Sequence, residues 1–127
     1  MEVNLMSEEK GKRNWVFCDG DMPPAGDKEP YGHEALMIVN LNEGAAELVI
    51  DILFEDREPV KNITHKLDGQ RVVCLRLDKP IGEQQYQIPN GQYALSLHSN
   101  VPVVAVFGRL DVRQPNMAYY PVQGYSY

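Results

Sequence analysis

Along most of this chain apolar and polar side chains alternate one for one. No stretch of about 11 or more residues carries apolar groups at i, i+3, i+4 and i+7 without Gly or Pro breaking in. A period of two is the repeat of an extended strand, whose successive side chains point to opposite faces. Leu48, Ile50, Ile52 and Phe54 alternate with Glu47, Val49, Asp51, Leu53 and Glu55. Tyr93, Leu95 and Leu97 alternate with Gln92, Ala94, Ser96 and His98, and Val73, Leu75 and Leu77 with Val72 and Cys74. Further strands are expected over residues 14–18, 34–41, 60–67 and 103–112, with a weaker one near 117–122. Asn42-Glu43-Gly44 and Asp68-Gly69 read as tight hairpin turns, because Asn, Asp and Gly tolerate positive φ. Seven or eight short strands with no helix between them predict an all-β fold, an antiparallel β-sandwich of one domain.

The 127 residues suffice for one such domain. Residues 20–32 and 78–91, rich in Pro and Gly, are expected as loops of functional or mobile character. Residues 1–12 are read as a flexible N-terminal segment, 13–120 as the sandwich and 121–127 as a tail, frayed or docked on a neighbour through its tyrosines. The longest apolar run, from Val101 to Gly108, is too short for a spanning helix, so no membrane insertion is expected. The first residues carry acids and no apolar signal core, which leads to a cytoplasmic expectation. In that setting Cys18 and Cys74 are read as reduced thiols acting as small buried apolar groups. A net charge of −6 opposes a phosphate-binding surface, and nucleic acid is not an expected partner.

None of the common catalytic or metal motifs occurs: no GxSxG, P-loop, GxGxxG, HExxH or CxxC pair. His33 and Glu34 could act as acid and base, the basis of an alternative hydrolase or lyase reading. As neighbours on a strand they point to opposite faces and would not share one metal. No cofactor and no metal are expected. The stretch from Val103 to Gln114 places Phe107, Arg109, Asp111 and Arg113 on one extended face. Side chains two apart lie about 7 Å from each other there. Asp111 is therefore expected to orient both guanidiniums, in a ladder able to fork onto a carboxylate, a phosphate or sugar hydroxyls. The same ladder also reads as an ordinary surface ion network. Trp15, the only tryptophan, is either core or a stacking platform for a sugar ring.

An ordered set of residues carries a resemblance: Trp15, Pro23-Pro24, His33-Glu34, Asn40, Asp56 through Pro59, Ser99-Asn100-Val101-Pro102, Arg109-Leu110-Asp111 and Arg113-Gln114. Over most of its length the chain resembles the sensory rhodopsin transducer family, small bacterial proteins named after the cytosolic partner of a cyanobacterial sensory rhodopsin. The resemblance implies a homotetrameric β-sandwich without catalytic activity that binds a sugar or related metabolite and transduces a signal. The ligand-binding set it implies is Trp15, His33, Glu34, Arg109, Asp111, Arg113 and Gln114. The alternative partner is a membrane photoreceptor contacted without any small-molecule ligand.

Overall fold

The computed structural model describes residues 10–115 and 117–127; the expected flexible segment 1–12 lies, as far as residue 9, outside them. Among the described residues eight strands follow one another: β1 (Lys12–Met22), β2 (His33–Asn40), β3 (Ala46–Leu53), β4 (Val60–Leu67), β5 (Arg71–Arg76), β6 (Gly91–Asp111), β7 (Ala118–Val122) and β8 (Tyr125–Ser126). All pair antiparallel. The all-β sandwich expected from the alternation is the fold observed.

One strand belongs to both layers. The first half of β6 lies between β1 and β3, so that the order is β4-β3-β6-β1-β8. Its second half lies between β2 and β7, with β5 outside β2. The sequence splits this strand in two at Ser99–Pro102, because Pro cannot donate to a ladder. Pro102 falls where β6 changes neighbours: Ser99 is the last residue opposite β3 and Val104 the first opposite β2. Its missing N–H costs no ladder bond there.

Between the layers lie Leu36 and Ile38 of β2, Leu48, Ile50 and Ile52 of β3, and Leu95, Leu97 and Phe107 of β6, each at most 1% exposed. The Phe107 ring joins the halves, with centroids 5.5 Å from Phe17 and 6.4 Å from Tyr93. Every residue here sits where the period of two places it, which is why the core could be read from the alternation.

β1 runs four residues past its expected end, to Met22. Between Phe17 and Gly20 it carries one extra residue against Leu95 and Tyr93, a bulge that leaves Cys18 and Asp19 both exposed. Gly20 makes the passage workable, since a Cβ there would sit 2.7 Å from the Tyr93 ring. The expected burial of both cysteines is corrected. Cys18 rides on the bulge and Cys74 faces outward from β5, and both are free and exposed.

The two expected hairpin turns are also corrected. β2 pairs with β5 and β6, and β3 with β4 and β6, so residues 41–45 cross from one layer to the other. Residues 68–70 make the same crossing from β4 to β5. Turn residues mark a reversal but do not say which neighbour the next strand will take. The two crossings are tied together by Asn40, which is fully buried. Its Nδ2 donates to the carbonyls of Gly44 (2.9 Å), Leu67 (3.2 Å) and Asp68 (3.3 Å). Its Oδ1 accepts from the backbone and side-chain N–H of Asn42, both at 3.0 Å.

The segment 121–127 is not a frayed tail. Pro121 and Val122 complete β7, and β8 pairs with β1, with Asn14 and Tyr127 exchanging backbone bonds of 3.0 and 2.9 Å. The loop 78–90 lies against the middle of β4, where Thr64 bonds Gln84 and Glu83, and it buries Ile81 and Ile88.

Candidate functional site

The β2–β6 ladder sets Glu34 directly opposite Arg109. Glu34 shares the inner face of β2 with Leu36 and Ile38, and Arg109 continues the inner face of β6 beyond Phe107. The alternation that builds the core therefore carries two opposite charges into one end of it. Glu34 is fully buried and Arg109 is 6% exposed. Arg109 Nε donates to Glu34 Oε2 at 2.7 Å, and the hydroxyl of Tyr93 donates to Oε1 at 2.6 Å from the other half of β6. The backbone N–H of Asp21 adds a bond of 3.0 Å to Oε2. On the outer side Arg109 Nη1 donates to the Tyr120 hydroxyl at 3.0 Å, and Nη2 donates to the Asp19 carbonyl.

Taking two charges out of water is costly, and only close geometry with further hydrogen bonds offsets it. This cluster has both. Burial works against the Arg109 cation, but its bonds with Tyr120 and Glu34 hold the guanidinium charged, above the ordinary arginine range. Burial, then the charge of Glu34, holds the Tyr93 phenol well above the ordinary tyrosine range, so it remains a donor. Among the described residues no buried side-chain nitrogen or oxygen lacks a partner.

The ladder expected from Arg109, Asp111 and Arg113 is divided. β6 ends at Asp111, and the chain turns there because Asp111 Oδ1 accepts the backbone N–H of Arg113 at 2.9 Å. Asp111 then grips the Arg113 guanidinium, with Nη2 to Oδ2 at 2.6 Å and Nε 3.1 Å from both oxygens. It makes no hydrogen bond or ion pair with Arg109, which turns inward to Glu34. The bonds from Arg113 bring the Asp111 carboxyl down to about 2. Its folded-state value lies below the ordinary 3.8, so this clamp is complete above about pH 4 and is lost as the pH falls through 2. Carbon-detected NMR titration should place the Asp111 midpoint near pH 2, and Arg113→Ala should return it to the ordinary carboxylate range.

Arg113 remains 53% exposed. With Gln114 it lines an open groove of about 680 Å³, bounded opposite by Gly26, Lys28, Glu29 and Pro30. His33, pointing away from Glu34 as alternation requires, bonds the Tyr31 carbonyl through Nδ1 at 2.8 Å. It lines a second pocket, of about 460 Å³, with Glu29, Pro30, Tyr31 and Arg76. Trp15 is apart from all of these, about 20 Å along β1 from Asp21. Its Nε1 donates to the carbonyls of Lys12 and Val103, and its ring stacks on Phe17 at 6.3 Å. Of the seven residues singled out, the structure thus joins Glu34 with Arg109, and Asp111 with Arg113 and Gln114. His33 and Trp15 stand in separate surroundings.

Tyr93, Tyr120 and Arg76 escaped the sequence reading. Tyr93 carried a signal, a hydroxyl on the apolar face of its strand. Tyr120 and Arg76 reach their places only through cross-strand register and loop packing.

The fold and cluster define a class: a two-layer antiparallel sandwich that shares one long strand and is locked at one end by a buried Glu–Arg–Tyr cluster. The family model described as Anabaena sensory rhodopsin transducer matches residues 10–126, and the chain belongs to that family. A crystal structure of the Thermotoga maritima protein 1070 is 33% identical, with 93% of this chain and 97% of that one covered and a TM-score of 0.81. The Anabaena sensory rhodopsin transducer is 28% identical, with 85% and 96% covered and a TM-score of 0.71. No curated protein matches the chain.

Proposed function

We propose that this chain is a non-enzymatic, cytoplasmic signal-transducing module that binds a sugar-like metabolite in the groove beside Arg113 and acts as a homotetramer. The observation that carries the reading is the clamp of Asp111 on Arg113. A guanidinium fixed at two nitrogens but half exposed keeps donors for a ligand while having little freedom left to lose on binding. Gln114 supplies an amide on the same wall, and Lys28 faces them with no partner among the described residues. A groove of this volume suits a small ligand. In this reading Glu34 and Arg109 form the frame beneath the site, because Tyr120 and Asp19 cover the guanidinium.

The test is a thermal-shift screen against sugars, sugar acids and phosphates. Ligand at about 100 Kd adds roughly 2.7 kcal/mol to the native state. A hit is expected to vanish in Arg113→Ala while the protein stays folded, and a hit that survives this change would sink the assignment of the groove.

A second reading, a receptor partner contacted without any ligand, is favoured by one observation. Val72, Val104 and Val106 lie 69, 40 and 44% exposed on the outer face of the β5-β2-β6 layer. Silence across the whole ligand panel would move the weight to that face.

A further inference from the structure

The pocket on the other flank of the 29–33 loop has a chemistry of its own. Arg76 is held by Asp78 through two parallel bonds, Nε to Oδ1 at 2.9 Å and Nη2 to Oδ2 at 2.8 Å. This fork fixes the plane of the guanidinium and leaves Nη1 with no acceptor among the described residues; the side chain is 40% exposed. Glu29 lines the same pocket and has neither a hydrogen bond nor an ion pair with any described residue. Two opposite charges thus border one cavity without pairing with each other.

His33 adds a third group. A carbonyl can only accept, so the bond from Nδ1 to the Tyr31 carbonyl puts the hydrogen on Nδ1. Nε2 then faces no donor among the described residues and is open to accept one. The pocket therefore offers donors at one place, Arg76, and acceptors at two others, Glu29 and His33. Tyr31, 42% exposed, and Pro30 supply apolar wall between them.

We propose that this pocket binds a zwitterionic small molecule of the α-amino acid class. The carboxylate accepts from Arg76 Nη1, the ammonium donates to Glu29 and to Nε2 of His33, and the side chain lies against Tyr31 and Pro30. A neutral polyol would leave the Glu29 carboxylate without a cation, Arg76 being already paired with Asp78, and an anion alone would face Glu29. The volume of about 460 Å³ accommodates such a ligand. The inference does not depend on the groove beside Arg113, which uses other cations.

The experiment is a titration followed by amide and side-chain NMR shifts, with three probes of one shape. L-leucine carries both charges, 4-methylpentanoate lacks the ammonium, and 3-methylbutylamine lacks the carboxylate. L-leucine is expected to saturate the shifts of Tyr31, His33 and the Arg76 Nε–H, and each truncated probe to bind at least about tenfold more weakly, the worth of one charge-assisted bond. Glu29→Gln should weaken L-leucine by a similar factor. That side chain has no partner among the described residues, so the change breaks no bond that holds the fold. Arg76→Gln should do the same, and Arg113→Ala should leave L-leucine binding unchanged. No saturation by L-leucine overturns the proposal, as does equal binding of 4-methylpentanoate or unaltered affinity in Glu29→Gln. Loss of binding in Arg113→Ala would place the ligand in the other groove and overturn it as well.

Discussion

Replacing Arg109 by Met is expected to cost about 3–5 kcal/mol of stability, measured as a fall in the urea unfolding midpoint. The change leaves Glu34 fully buried with its cation gone, holding only the Tyr93 hydroxyl and the Asp21 N–H. A domain of this size has about 5–15 kcal/mol to lose, so the single variant should sit near the limit of folding. Glu34→Leu should be less harmful, since the guanidinium keeps the Tyr120 hydroxyl, the Asp19 carbonyl and the Asp19 carboxylate at 3.7 Å. The double variant Glu34→Leu/Arg109→Met should recover part of the loss, because an apolar pair of similar volume leaves no unpaired buried charge, while the buried Tyr93 hydroxyl still lacks its acceptor. This recovery separates a locking ion pair from simple loss of packing, where the two costs would add. An Arg109→Met protein within about 1 kcal/mol of the original would show that the cluster does not lock the sandwich.

Asn40→Ala should cost about 3 kcal/mol, the upper end for a buried group left without partners. The amide serves three carbonyls and two N–H groups at the crossing between layers, and truncation abandons all five. Asn40→Asp should be more damaging than Asn40→Ala in spite of its closer shape. A carboxylate has no hydrogen for the carbonyls of Gly44, Leu67 and Asp68, and would set a negative charge against three acceptors. Equilibrium unfolding of the two variants gives the order. If the Asp variant proved the more stable, the side-chain bonds would not be what holds the corner.

Much of this architecture could be read from the residues, and the parts that could not share a physical cause. Alternation located β2, β3, β4 and β5 to within a residue or two, because one face of each is buried and the other wet. It also placed Tyr93, Leu95 and Leu97 on a common face. It could not give partners, since which strand lies beside which depends on the long-range contacts of the whole chain. That is why Asn42-Glu43-Gly44 read as a hairpin turn when it is a crossing, and why 92–98 and 103–112 read as two strands when they are one. The candidate site divides in the same way. Glu34, Arg109, Asp111 and Arg113 were all visible as residues. The pairing of Glu34 with Arg109 rests on a cross-strand register over 75 positions, which no local pattern encodes. The clamp of Asp111 on Arg113 is local, but it is made by a turn rather than by the strand that their spacing suggested.

Because β6 serves both layers, its length acts as a ruler common to the two halves of the molecule. Adding or removing one residue between Leu97 and Phe107, where no bulge takes it up, would turn every side chain beyond the change to the opposite face. Tyr93, Leu95 and Leu97 would then no longer share an interior with Phe107 and Arg109. Loops 54–59 and 78–90 are under no such constraint and can change in size without altering the phase of any strand. Descendants of this chain can change length there wherever Asp78, Ile81 and Ile88 keep their places, while the long strand must be inherited whole.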